Sequence, residues 1–174
     1  MKRLLTFTLQ ALFTIGLASP AFPQTYVPPP VRLVGLAGPR FGVTVLDQGV
    51  LDRLEERAVT VRRPVISQFG WQLEKQFFSA SSGLTALNEW VLLMGGLEQG
   101  LALPSATWMV GVRTSKGTEF GIGPNLTPAG LALALAAGIT YRAGPMNVPI
   151  NLAVVPSAAG VRVTVLTGFT MRRP

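Results

Sequence analysis

Six charged residues interrupt stretches that otherwise alternate between apolar and small residues: Glu74, Glu89 and Glu119, and Arg113, Arg142 and Arg162. Carboxylates facing one another across adjacent strands, as Glu74 and Glu89 would, are the raw material of general acid and base work. Nothing around them supplies a cleft or a further catalytic partner, so a structural ion-pair network is the expectation. The sequence has no histidine and no cysteine. That removes Ser-His-Asp and Cys-His nucleophiles, ordinary zinc sites and the usual haem ligands together. Gly121-Ile122-Gly123-Pro124 lacks the third glycine of a phosphate-cradling loop and continues into another strand. Asp52, Glu55 and Glu56 lack the spacing of a calcium loop and read as the wet face of a helix. The expectation is a protein without enzymatic activity, metal or cofactor.

The elements that would carry these charges are strands. Between Thr127 and Met171 three period-two runs follow one another, joined by turns of Gly, Pro, Ser and Asn. Leu131, Leu133, Leu135, Ala137, Ile139 and Tyr141 share one face, and Ala132, Ala134, Ala136, Gly138 and Thr140 the other. The next run sets Val148, Ile150, Leu152 and Val154 against Pro149, Asn151 and Ala153, and the last sets Val161, Val163, Val165 and Phe169 against Arg162, Thr164, Gly168 and Thr170. Upstream, strands are expected at about 40–47, 66–78 and 86–96, and in a hairpin turning at Ser115-Lys116-Gly117. In the strand 66–78, Lys75 falls on the apolar side and breaks the pattern; the run 86–96 is apolar on both faces and its orientation is ambiguous. One helix is expected over 50–58, with Leu51, Leu54 and Ala58 on one side, as a connector. Eight strands on short turns need their edges hidden, and closure does this most simply. The fold class expected is all-β, an antiparallel up-and-down β-barrel of about eight strands with one short helix.

Which way the apolar faces point decides the environment. In a soluble barrel or sandwich they point inward and the opposite faces should carry Lys, Glu and Thr, yet those faces carry mostly Ala, Gly and Gln. In a narrow membrane barrel the small residues crowd the lumen and the apolar rows meet lipid. The six charges, three acids and three bases, then balance in the interior. Eleven residues at about 3.3 Å each, tilted by about 45°, cover roughly the 25 Å apolar band. Trp71, Trp90, Trp108, Tyr141 and Phe169 are candidate membrane-interface aromatics. A helical membrane span over 120–141 is disfavoured by Pro124, Pro128 and the Leu/Ala alternation.

The composition fits a surface not wholly covered by water: 48% of the 174 residues are hydrophobic and only 13% charged, where about 25% is typical. Lys2 and Arg3, an apolar run from Leu4 to Ala18 and Ser-Pro-Ala have the layout of a secretory signal, residues 1–21. Cleavage takes Lys+Arg from 15 to 13 against 8 Asp+Glu, a net charge of +5. Residues 22–39, with Pro28, Pro29 and Pro30 in a row, read as an extended tether, and 40–174 as the barrel domain. Arg62-Arg63 and Arg172-Arg173 flank the strands and are candidates for acidic lipid headgroups or lipopolysaccharide phosphates. Nucleic acid is disfavoured for want of a basic stripe with interleaved aromatics.

In strand number, size and alternation, residues 40–171 resemble the small eight-stranded outer-membrane β-barrels of Gram-negative bacteria. The stretches ISQFGWQLE, GGLEQG, FGIGPNL and NLAVVPS are also similar to those of exported bacterial proteins of unassigned function. The resemblance implies an outer-membrane location and a structural, adhesive or lipid-contacting role with a lumen too tight to conduct. A soluble periplasmic or secreted barrel or sandwich holding an apolar small ligand or a protein partner remains the alternative.

Overall fold

The computed structural model describes residues 34–172. The expected signal segment and most of the expected tether lie outside the described residues.

Strands β1 (Gly35–Leu46), β2 (Val65–Ser79), β3 (Thr85–Gly95), β4 (Leu103–Arg113), β5 (Thr118–Thr127), β6 (Gly130–Ala143), β7 (Met146–Ser157) and β8 (Gly160–Gly168) pair in chain order, each antiparallel to the next. β1 also pairs with β8, which closes the sheet on itself. A short β9 (Thr170–Arg172) continues β8 beyond Phe169, pairing with β1 and β7, so the two form one interrupted stave of an eight-stave barrel. The interruption has a local cause. It stands opposite Gly38 and Pro39, and a proline has no N–H to give the ladder. A Cβ on Gly38 would meet the Phe169 carbonyl oxygen at 1.8 Å, so only glycine admits the strands' close approach there. β1 thus takes in Gly35–Pro39, residues expected to belong to the tether.

The alternation fixes the faces. Leu131, Leu133, Leu135, Ile150, Leu152, Val161 and Val165 are exposed on the outside, Leu131 by 71%. Their neighbours Ala134, Thr140, Arg162 and Leu166 are buried inside. A soluble barrel requires the reverse, so this surface is that of a barrel standing in lipid. The ambiguous run in β3 resolves with Leu87 and Val91 buried inside and Trp90, Leu92 and Met94 outside.

The two ends differ. One carries both ends of the described chain and the short connections 80–84, 114–117 and 144–145; we call it the terminus end. The other, the loop end, carries the long connection 47–64 and a single 3-10 turn, Leu97–Gln99. Helix α1 (Gln48–Glu55) lies in the long connection, earlier than the expected 50–58. The Asp47 carboxylate accepts the Val50 N–H at 3.1 Å as its N-cap and the Val161 N–H of β8 at 2.7 Å. These bonds hold Asp47 ionised below its ordinary range. A Cβ on Gly160, at φ 133°, would collide with that carboxylate. Val50, 0% exposed, and Leu54 pack with Leu46, Ile66 and Leu103, inward residues at the strand ends. α1 therefore closes the barrel mouth and is more than the connector its sequence implied.

Candidate functional site

The interior polar groups fall into two layers. Towards the terminus end, Arg113 donates to both carboxylate oxygens of Glu74 at 2.6 Å, while its Nε bonds Glu119. Thr140 adds a hydroxyl donor to Glu119. Arg113 and Glu119 are direct partners across β4 and β5, and the long Arg113 side chain reaches Glu74, two strands away on the inward face and in the register row of Met109. A bidentate guanidinium held in a dry interior satisfies charges that would otherwise be costly to bury.

Glu89 stands directly opposite Glu74 across β2 and β3 and has no hydrogen-bond or ion-pair partner among the described residues. It lines an internal cavity of about 100 Å³, together with Arg40, Leu87, Val91, Met109 and Asn151. A space of that size holds a handful of waters. Among the described residues no group of three or more acidic side chains is placed to hold a metal.

Two expected members of the network are placed differently. Arg142 shares the inward row of β6 but lies beyond the rim, exposed at the strand's terminus end, and enters no interior ion pair among the described residues. Arg162 is buried but donates to Thr127 Oγ1 at 2.6 Å and Asn125 Oδ1 at 3.0 Å, not to a carboxylate. The third interior base is Arg40, which sequence reasoning missed. It donates to Gln72 Oε1, to Asn151 Oδ1 at 2.7 Å and to the Pro149 carbonyl. Its signal was present: strand parity sets Arg40 with Gly42 and Thr44, the inward row. The interior thus keeps three acids against three bases, with Arg40 in the place expected of Arg142.

All five candidate aromatics face outward. Trp71, Trp90 and Trp108 fall near the midpoints of β2, β3 and β4, so they sit within the apolar belt and not at strand ends, where a girdle would place them. An indole N–H in that position needs an acceptor, and Trp108 finds Asn88 Oδ1 at 2.8 Å. Trp90 packs against it with ring centroids 6.5 Å apart. Tyr141 and Phe169 stand nearer the terminus end.

No protein-family model matches the sequence, and no curated protein matches it. Among solved structures the barrel is similar to Ail, the attachment invasion locus protein of Yersinia pestis. The chain in complex with the heparin analogue sucrose octasulfate superposes with a TM-score of 0.50 at 9% identity, over 81% of this chain and 97% of that one. The backbone structure of Ail in a phospholipid bilayer nanodisc gives 0.48 at 11%, over 80% and 99%. The fold is therefore that of a small eight-stranded outer-membrane β-barrel.

Proposed function

We propose that the protein is an exported outer-membrane barrel with a structural, adhesive or lipid-contacting role, and that it is neither a wide pore nor an enzyme. The observation that carries this reading is the pairing of a predominantly apolar outward surface with a blocked interior. Such a surface is stable only against acyl chains. The mouth is stopped by α1 and the opposite layer by the Glu74, Arg113 and Glu119 cluster, so solute passage is not its work. The N-terminal signal layout supports export. An adhesive role draws on the likeness to Ail, a protein of attachment and invasion, and belongs to the loop end, where the long connection 47–64 stands clear of the belt.

Cell fractionation with a carbonate wash tests the location: the protein stays with the outer membrane. Trypsin added to intact cells then cuts after the exposed Arg62, the bond after Arg63 being protected by Pro64, and spares Lys116 at the opposite end. Release by carbonate, or a detergent-free monomer in solution, refutes the reading. Binding of expressing cells to immobilised heparin, compared with cells lacking the protein, tests the adhesive role.

A further inference from the structure

The charges outside the lumen are segregated along the barrel axis. Of the chain's 8 carboxylates, Glu74, Glu89 and Glu119 are interior, and Asp47, Asp52, Glu55, Glu56 and Glu98 are at the loop end. Arg53, Arg57, Arg62 and Arg63 stand among those last five and leave that end close to neutral. The terminus end carries Lys75, Lys116, Arg142 and Arg172, all exposed, and no side-chain carboxylate. None of these four is in an ion pair among the described residues.

We infer that the terminus end is a docking surface for a bilayer leaflet rich in anionic phospholipid, its four cations meeting headgroup phosphates. This inference rests on the membrane-spanning reading above and adds the end, the residues and the lipid class. The cations sit on β2, on the β4 to β5 turn, on β6 and on β9, so they are distributed around the rim. Cations spread in this way do not converge on one small anion; they match a plane of phosphates. Lys75 makes the point most directly, because it faces outward between Leu73 and the exposed Phe77, where an ammonium is stable only if its stem lies on the apolar surface and its head reaches the headgroups. Phe77, Phe78, Tyr141 and Phe169, exposed toward the same end, supply the apolar and amphipathic side chains that settle at a membrane interface. The loop end, where Arg62 and Arg63 are outnumbered by nearby acids, is the poorer surface for phosphate.

Each cation held near an anionic surface strengthens association on the order of fivefold, and salt screens it. The test places the protein in phosphatidylcholine vesicles doped with spin-labelled phosphatidylglycerol or spin-labelled phosphatidylcholine, and reads the fraction of each label immobilised at the protein. The expected result is a several-fold preference for phosphatidylglycerol that falls at high salt. It is lost in the combined variant Lys75→Gln, Lys116→Gln, Arg142→Gln, Arg172→Gln and kept in Arg53→Gln, Arg57→Gln, Arg62→Gln, Arg63→Gln. Circular dichroism confirms that both variants retain the barrel. Insertion without any preference, or a preference abolished by the loop-end variant, overturns the inference and leaves the membrane reading standing. Failure to insert into either vesicle overturns both.

Discussion

Replacing Arg113 by methionine tests the interior most sharply, since one side chain answers two carboxylates. The side chains of Arg113, Glu74 and Glu119 are only 10%, 1% and 7% exposed. Arg113→Met removes both bonds to Glu74 and the bond to Glu119, and strands two charges where water is scarce. Breaking a buried pair by removing one partner costs about 3–5 kcal/mol. Urea titration of the vesicle-inserted protein, followed by fluorescence of the lipid-facing tryptophans, measures the loss. The triple variant Glu74→Gln, Arg113→Met, Glu119→Gln removes the stranded charges with the base and should return to within about 1–2 kcal/mol of the parent. A loss below about 1 kcal/mol for Arg113→Met, or a triple variant no more stable than the single one, would refute a dry, mutually dependent cluster.

Leu135→Lys puts a charge on the outward face near the midpoint of β6 and should cost about 2–4 kcal/mol in vesicles; a loss under about 0.5 kcal/mol would mean water meets that face. Leu54→Ala hollows the cluster under α1, and native-state hydrogen exchange should show the 47–64 connection opening more readily by about 2–5 kcal/mol. Ala58 has φ 60°, a left-handed conformation that costs any residue with a Cβ, so Ala58→Gly should slow proteolysis of the same connection through a gain of up to about 1 kcal/mol. The hydrogen bond from the Ser67 hydroxyl holds the Glu98 carboxyl down at about 2, against an ordinary 4.5. With the folded value depressed, its contribution is complete above 4.5 and is lost as pH falls toward 2; pepsin cleavage between β3 and β4 should rise across that window and do so less in Glu98→Gln.

Much of this barrel is legible along the chain, because a strand's side chains alternate with a period of two and each turn announces itself by residue type. The row from Leu131 to Tyr141 and its alanine counterpart identify a sheet with one oily face, and the smallness of the inward residues implies a lumen too narrow for water on both sides. Parity also sets Arg40, Glu74, Arg113, Glu119 and Arg162 inward before any fold is known, whereas Glu89, in a run apolar on both faces, is oriented only by the closed sheet. What parity does not reveal is height. Arg142 obeys the inward rule yet stands outside, because where a strand leaves the barrel depends on the tilt and stagger of all eight staves together. Partnership is equally non-local: Arg113 meets Glu74 across 39 positions, and Arg162 finds Asn125 across 37, through registers that only the closed sheet establishes. The helix 48–55 shows its amphipathic stripe in sequence, but a stripe needs a surface to cover, and the mouth formed by Leu46, Ile66 and Leu103 exists only once strands distant in the chain are brought to one end.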